Sequence, residues 1–335
     1  MMKQMPNSKH PMAIGCLGLF IGFAVIVTIL ASTYLLNYAL KPEGNKGRDY
    51  AGQYTAMKTN YPWISQWVDS LQAANALRDT FMTVKGGDRR FFADDSTRLH
   101  ALIVKAPCQT SHTAILVPGY TDCAINMLHA GFIYGHVLGM NLLIPDLRAN
   151  GKSQGEAMQM GWKDADDVMM WVNVAEKTFR DSTGNASIVV HGQSMGAATT
   201  MNLSGKDTPP SVKCFVEDCG YTSVWDEFSH EIGEEFGLPD FPLLYSASAL
   251  CKLKYGWSFG EASPLRQVAK CGKPMLFIHG GADTFVPTHM VFPLYAAKPA
   301  PKYLKVFHGS SHARSYRDHR HEYERTIKAF VEKHL

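Results

Sequence analysis

The stretch Ser187-Ile-Val-Val-His-Gly-Gln-Ser-Met-Gly-Ala-Ala-Thr-Thr200 places one serine, Ser194, between two glycines where an aliphatic run gives way to small residues. The aliphatic run predicts a buried strand, and the small residues that follow predict a helix that packs closely on it. A sharp turn between them strains the backbone of its central residue, and glycines at 192 and 196 relieve the crowding. This G-x-S-x-G pattern in a strand–turn–helix context predicts a nucleophile elbow.

Strands and helices alternate on both sides of this turn. Strands are predicted at residues 81–85, 99–106, 112–117, 141–145, 187–190, 212–217, 275–279 and 303–307. Helices are predicted at residues 61–80, 125–138, 162–180, from 195, near 288–297 and at the end of the chain. The alternation predicts an α/β protein with a mostly parallel sheet of about eight strands, covered by helices on both faces.

A serine hydroxyl is a poor nucleophile near neutral pH and needs an adjacent base. Asp283 follows the predicted strand 275–279, and His312 follows the predicted strand 303–307. Parallel strands end at one sheet edge, so both loops are expected beside Ser194, in the chain order Ser, Asp, His. Ser194, Asp283 and His312 are therefore the predicted nucleophile, acid and base.

Other residues compete for two of these roles. Glu217 and Asp218 end the preceding strand and are alternative acids, and His308 is the alternative base. A metal cluster of His308, His312, His319 and His321 lacks a supporting carboxylate or cysteine pattern, so neither a metal nor another cofactor is expected.

A tetrahedral oxyanion needs preorganised N–H donors. The backbone amide of Met195, directly after the nucleophile, is one candidate. The second is the amide of Tyr120, in the turn Pro118-Gly119-Tyr120 that ends a predicted strand. The phenol of Tyr120 is an alternative donor, and an ordinary strand-ending turn is the structural alternative.

The N-terminal part of the chain differs from the rest. Residues 12–36 form an uncharged apolar run of about 25 residues, long enough to cross a bilayer core of roughly 30 Å. We expect a tail over 1–11, an uncleaved signal-anchor over 12–37, a linker over 38–60 and one domain over 61–335. A cleaved leader is the alternative. A short N-terminal tail favours an extracytoplasmic domain, although Lys3 and Lys9 precede the segment and Lys41, Lys46 and Arg48 follow it.

Composition excludes some classes of function. The chain has 335 residues and a formal net charge of +3, with scattered basic residues, so nucleic acid is not an expected partner. Six cysteines follow the apolar run. Cys251 and Cys271 are the pair best suited to a disulfide, but free buried thiols are the default expectation.

At this point the chain resembles the α/β-hydrolase superfamily, in particular bacterial membrane-anchored serine hydrolases near the serine aminopeptidase/monoacylglycerol lipase and cinnamoyl esterase-like branches. The resemblance covers residue 80 to the C-terminus. It rests on Val117-Pro-Gly-Tyr120, Asp146-Leu-Arg-Ala-Asn-Gly-Lys-Ser153, Gly192-Gln-Ser-Met-Gly196, Glu217-Asp-Cys-Gly-Tyr-Thr-Ser223, His279-Gly-Gly-Ala-Asp283 and His312. It implies the α/β-hydrolase fold and the same triad and oxyanion residues. Ala149 and Pro118 depart from the family pattern, and the Asp146 segment is interpreted as scaffold.

Relatives carry a small cap where this chain has the insert 222–262. Aromatic residues in the insert suit an apolar acyl or aryl group, and the predicted substrate contacts are Trp225, Phe228, Phe241, Tyr245 and Trp257. The alternative is that they pack the core of the cap itself.

The first hypothesis for the function of this protein is a carboxylic ester hydrolase. The second is a peptidase that holds a free amine through Glu227, Glu231, Glu234 and Glu235, and the third is a non-catalytic binding protein.

Overall fold

Eight strands form one sheet in the computed structural model, which describes residues 10–41, 45, 48–85 and 96–335, with side chains from residue 17 onward. The strands are β1 (Arg78–Lys85), β2 (Ser96–Val104), β3 (His112–Val117), β4 (Asn141–Pro145), β5 (Ser187–Gln193), β6 (Val212–Asp218), β7 (Met275–Gly280) and β8 (Lys302–Phe307). Their spatial order is β1-β2-β4-β3-β5-β6-β7-β8. Strand β2 pairs antiparallel with both β1 and β4, and the five remaining pairs, from β4–β3 to β7–β8, are parallel. The predicted mostly parallel eight-stranded sheet is confirmed.

Helices cover both faces of the sheet. They are α1 (His10–Leu40), α2 (Tyr50–Asn60), α3 (Ser65–Ala73), α4 (Leu128–Gly131), α5 (Asp164–Phe179), α6 (Met195–Ser204), α7 (Val224–Phe236), α8 (Leu243–Tyr255), α9 (Pro264–Val268), α10 (Val291–Ala297), α11 (Ser315–Asp318) and α12 (Arg320–His334). One core cluster joins the sheet to α5, α6 and the α7–α8 region, and a second joins it to α2, α3, α4 and α12. The aliphatic central strands are buried on both sides for this reason.

Three predicted helices have different bounds. The helix expected over 61–80 ends at Ala73, and Arg78 already pairs with Ile103 in the sheet. The helix expected over 125–138 is the short α4 followed by a π-helical turn, Phe132–Val137. The helix near 288–297 begins with a 3₁₀ turn. Sheet pairing overrides helical periodicity in the first case.

The segment predicted as a linker is structured over much of its length. Helix α2 occupies residues 50–60 and buries Met57 in the core. The Tyr50 hydroxyl donates a hydrogen bond of 2.6 Å to Asp146. The prediction of a linker over 38–60 is therefore wrong for residues 50–60, because their apolar and phenolic groups pack on the domain. The predicted tail, 1–11, lies almost wholly outside the described residues.

Helix α1 is long and apolar. Its segment Leu17–Leu40 has 24 residues and a mean hydropathy of 2.4, enough by length and composition to cross a membrane. The helix continues three residues beyond the predicted span, and its last turns contact the domain. Such a helix is typical of a membrane anchor or a signal sequence.

The insert between β6 and β7 contains helices α7 and α8, which form a small helical cap. Ser223 begins α7 by accepting a hydrogen bond from the amide of Asp226, and Gly237 ends it in a left-handed conformation.

Cys251 and Cys271 are both unpaired thiols, so the suggested disulfide is not formed.

Candidate active site

The turn between β5 and α6 holds Ser194 in strained geometry, with φ 56° and ψ −120°. A Cβ atom on Gly192 would lie 2.0 Å from the carbonyl oxygen of Gly196. A Cβ atom on Gly196 would lie 2.1 Å from the carbonyl oxygen of Val117. Real Cβ atoms do not approach backbone this closely, so both positions require glycine. The crowding predicted from the sequence is confirmed, and it leaves the Ser194 side chain at the carboxyl edge of the sheet.

The structure brings the three predicted triad residues together. The Nε2 atom of His312 lies 2.9 Å from the Oγ atom of Ser194. The Nδ1 atom of the same His312 ring lies 2.8 Å from the Oδ2 atom of Asp283. These residues come from the loops after β5, β7 and β8, as the parallel strand order requires. The imidazole therefore bridges a hydroxyl and a carboxylate.

The Asp283 carboxylate is held in place by several donors. Its Oδ1 atom accepts hydrogen bonds of 3.1 Å from the amides of Phe285 and Val286. Burial raises the pKa of Asp283, but the interactions with His279 and His312 outweigh it, and the pKa lies below its ordinary value. Asp283 is therefore ionised at neutral pH.

His279 is a neighbour of the triad to which the sequence assigned no role. Its Nε2 atom lies 2.9 Å from the carbonyl oxygen of Val286 and 3.4 Å from the Asp283 carboxylate. Burial lowers the pKa of His279, but the nearby carboxyl groups of Asp283 and Glu217 raise it by more. The pKa therefore lies above its ordinary value. Its place four residues before Asp283, at the end of β7, was the available sequence signal.

The competing residues have other partners. Asp218 accepts a hydrogen bond of 2.9 Å from the Tyr323 hydroxyl, and Glu217 accepts one of 3.0 Å from the Gly220 amide. His308 is exposed, and its carbonyl oxygen lies 3.0 Å from the Nε2 atom of His319. The hydrogen-bond geometry thus favours Asp283 and His312 over these alternatives.

The two predicted oxyanion residues lie beside Ser194. Met195 begins α6, where the first amides have no carbonyl acceptor within the helix. A Cβ atom on Gly119 would lie 3.4 Å from that of Ser194, so the turn before Tyr120 approaches the nucleophile closely. The Tyr120 hydroxyl donates to the carbonyl oxygen of Ala39 in α1, at 2.7 Å. Because the phenol is engaged there, the backbone amide is the better oxyanion candidate.

The Asp146 segment forms scaffold, as predicted. The buried Asp146 carboxylate accepts hydrogen bonds from the amides of Ala124 and Lys152, at 2.7 and 2.8 Å. Ala149, which replaces a family glycine, has φ 62°. A left-handed backbone of this kind favours glycine, which agrees with the glycine of the family pattern.

A cavity of about 980 Å³ opens above Ser194. The cap contributes Phe228, Phe236 and Leu244, and the segment 34–41 at the end of α1 contributes seven more residues. Of the five predicted substrate contacts, only Phe228 is among the residues that line this cavity. Trp257 is buried and donates to Gln159 at 2.9 Å, while Trp225 and Phe241 pack edge-on against Tyr245. The alternative that these four residues pack or cover the cap itself fits their location.

All four carboxylates of the peptidase hypothesis line the cavity: Glu227, Glu231, Glu234 and Glu235. Glu227 is 4% exposed, and its Oε2 atom has no hydrogen-bond partner among the described residues. Burial, followed by repulsion from Glu231, raises the pKa of Glu227 well above its ordinary value. Burial also raises the pKa of Glu231. The cavity therefore contains at least two carboxyl groups whose pKa lies above its ordinary value.

Among the described residues, one group of possible metal ligands occurs, formed by Cys219, Asp283 and His312 with ligand atoms within 4.8 Å. Asp283 and His312 are already bonded to each other. Burial raises the pKa of the Cys219 thiol well above its ordinary value, which disfavours the thiolate that a metal requires. This arrangement therefore fits an acid–base pair better than a metal site.

Known proteins resemble this chain in both sequence and fold. An uncharacterized protein of Bacillus subtilis (strain 168), YqkD, is 32% identical over 231 residues, covering 68% of this chain and 73% of that protein. The uncharacterized protein YfhR of Escherichia coli (strain K12) is 23% identical, covering 68% and 74%.

Two solved structures share the fold. The Pyrococcus furiosus esterase Pf2001 superposes with a TM-score of 0.59 at 20% identity, over 78% of this chain and 94% of that chain. The Pyrococcus horikoshii acylaminoacyl peptidase superposes with a TM-score of 0.54 at 15% identity, over 79% and 43%. Residues 138–335, more than half of this chain, match the prolyl oligopeptidase family. The chain is thus a hydrolase with the α/β-hydrolase fold, and it belongs to the prolyl oligopeptidase family.

Proposed function

We propose that this protein is a serine hydrolase that cleaves a carboxylic ester through an acyl-enzyme intermediate. The observation that carries the proposal is the imidazole of His312, at hydrogen-bond distance from both Ser194 and Asp283. Ser194 is the nucleophile, His312 the general base and Asp283 the residue that orients the imidazole and stabilises its charge.

The reaction follows from this geometry. His312 Nε2 takes the proton of Ser194 as Oγ attacks the ester carbonyl, and the amides of Met195 and Tyr120 stabilise the oxyanion. Collapse breaks the bond to the alcohol, which leaves with the proton from His312. A water molecule, deprotonated by His312, then attacks the acyl carbonyl. The bond to Ser194 Oγ breaks, the carboxylic acid leaves, and His312 returns the proton to Oγ.

The proposal is tested with Ser194→Ala. The exchange removes the nucleophile, so turnover of p-nitrophenyl esters is expected to fall by at least about 10⁴-fold and fluorophosphonate labelling to disappear. The thermal midpoint should change little. Ser204→Ala on the same helix, where the hydroxyl bonds to Met201, is the matched control and should keep wild-type turnover. A wild-type protein without labelling or turnover would support the non-catalytic alternative, and an active Ser194→Ala would overturn the site.

A peptidase acting beside a free amine is the second candidate, and the four cavity carboxylates favour it. A substrate ammonium group next to Glu227 would restore the ionised carboxylate that burial disfavours. Comparing p-nitrophenyl esters with aminoacyl-naphthylamides separates the two candidates. For a peptidase, the naphthylamides are turned over and Glu227→Gln lowers that rate more than the ester rate.

We further propose that α1 is a retained membrane anchor with the domain on the extracytoplasmic side. The support for retention is the packing of Leu36 and Leu40 in the domain core, which makes the end of α1 part of the folded domain. The lipid bilayer would then be a partner of this protein.

A further inference from the structure

The last turns of α1 are part of the folded domain. Ser32 donates a hydrogen bond of 3.1 Å to the carbonyl oxygen of Leu243 in the cap. The amide of Met158 donates to the carbonyl oxygen of Leu40 at 2.9 Å, and the Tyr120 hydroxyl donates to that of Ala39. Contacts with the cap, the scaffold and the oxyanion turn therefore fix the end of the helix against the domain.

The same turns form a wall of the active-site cavity. Asn37 and Tyr38 line the cavity that contains Ser194, with cap residues Phe228 and Phe236 on other parts of its surface. The ring of Tyr38 packs edge-on against Phe236 with centroids 5.7 Å apart, and its hydroxyl donates to Glu235. A substrate in the cavity would thus touch α1 as well as the cap.

The length of α1 puts this wall near the membrane surface. About 20 residues at roughly 1.5 Å each cross a hydrocarbon core of about 30 Å. Counted from the start of the apolar run at Met12 or from Leu17, the crossing ends between Ala31 and Leu36. The residues that line the cavity begin at Tyr34. The cavity wall therefore begins where the helix leaves the hydrocarbon.

The cap presents apolar residues at the same level. Phe241 is 73% exposed and Tyr245 is 56% exposed, and they flank Leu243, the cap residue that bonds to Ser32. Exposed aromatic side chains beside a membrane helix are typical of the bilayer interface. An exposed apolar surface of this kind, next to an apolar helix, indicates contact with lipid.

We propose that the cavity takes its substrate laterally from the bilayer and that the substrate is a long-chain acyl ester resident in the membrane. The acyl chain lies against the aromatic cap residues and the end of α1, and the ester carbonyl reaches Ser194. This inference rests on the proposed esterase activity and on α1 as an anchor, and it adds the substrate class and its source.

The test uses the full-length protein in phosphatidylcholine vesicles with a fluorogenic diacylglycerol ester that does not exchange between vesicles. We expect hydrolysis at least tenfold faster when the ester is in the vesicles that hold the protein than when it is in protein-free vesicles. Equal rates would overturn the proposal. Turnover of soluble p-nitrophenyl butyrate without any hydrolysis of the bilayer ester would also overturn it. If the wild-type protein neither hydrolyses butyrate nor reacts with the fluorophosphonate, the esterase proposal itself is contradicted.

A substitution in the wall tests the role of α1. Asn37→Trp should lower the rate with the bilayer ester at least ten times more than the rate with butyrate, because the indole fills the path along the helix. Thr28 lies nine residues earlier, which is two and a half turns, so it is on the opposite face of α1, and it is not among the lining residues. Thr28→Trp is the matched control and should leave both rates within twofold. An equal loss with both esters, or no loss, would contradict a substrate path along α1.

Discussion

Behind the candidate nucleophile, a row of ionisable residues continues away from solvent. His312 contacts Asp283, Asp283 lies 3.4 Å from His279, and Glu217 interacts electrostatically with His279. Glu217 is buried, and burial raises its pKa to about 8. One of its oxygens, Oε1, has no hydrogen-bond partner among the described residues. A carboxyl group with a raised pKa beside His279 makes the stability of the protein sensitive to pH.

At this scale we predict a pH-dependent effect of Glu217→Gln. The folded pKa of about 8 lies above the ordinary value of 4.5, so folding retains a proton that the unfolded chain releases between these values. The contribution of Glu217 to the free energy of unfolding therefore falls as pH rises through this window. Glutamine cannot lose that proton, so the thermal midpoint of Glu217→Gln should rise relative to wild type from pH 5 to pH 8 and level off above it. Parallel midpoint curves for the two proteins would contradict a raised pKa.

The elbow between β5 and α6 shows how two elements position the candidate nucleophile. Ser194 occupies a left-handed backbone conformation that costs a non-glycine residue about 1–3 kcal/mol. Its amide donates a 2.8 Å hydrogen bond to the carbonyl oxygen of Asp218, and its carbonyl accepts from Ala198. These bonds and the close approach of the β3 end to Gly196 hold the strained turn.

We predict that Gly196→Ala destabilises the protein by about 1–3 kcal/mol, because its methyl group would overlap the Val117 carbonyl and the backbone must move. Gly233, in the interior of α7 with open space around it, is the matched control. Gly233→Ala should stabilise the protein by about 0.5–1 kcal/mol through the higher helix propensity of alanine. Thermal midpoints of the two variants measure the contrast. Equal midpoints would mean that the elbow is looser than described.

At the scale of the whole molecule, helix α1 lies in two different environments along its length. The side chains of α1 from Leu17 to Leu30 are mostly exposed and apolar, whereas Leu36 and Leu40 lie in the same core cluster as β3 and α6. The first part suits lipid and the last part suits protein. Helix α1 and the domain are therefore a single packed unit at their junction.

This packing predicts a contrast between two leucines of α1. Leu40 is fully buried and Leu30 is 65% exposed. Leu40→Ala should destabilise the domain by about 2–5 kcal/mol, because it leaves a cavity in the core. Leu30→Ala should leave the thermal midpoint of the detergent-solubilised protein nearly unchanged. Similar midpoints for the two variants would indicate that α1 does not pack on the domain.

Much of the fold and of the candidate site was predictable from local patterns. Aliphatic runs followed by glycine, aspartate or histidine marked the ends of parallel strands, and parallel strands share an edge. The positions of Ser194, Asp283 and His312 along the chain were therefore enough to expect them together. The residues of the cap were less predictable, since aromatic side chains suit a cap core as well as a substrate cavity.

The sequence by itself determined the order of strands and helices, the elbow at Ser194 and the apolar character of the N-terminal helix, because each depends on neighbouring residues. Only the tertiary structure decided that His279 contacts Asp283, that Phe228 alone of the predicted aromatic contacts faces the cavity, and that the end of α1 forms its wall. Except for His279 and Asp283, which are four positions apart, these contacts join residues far apart in the chain. All of them depend on how side chains fill shared space.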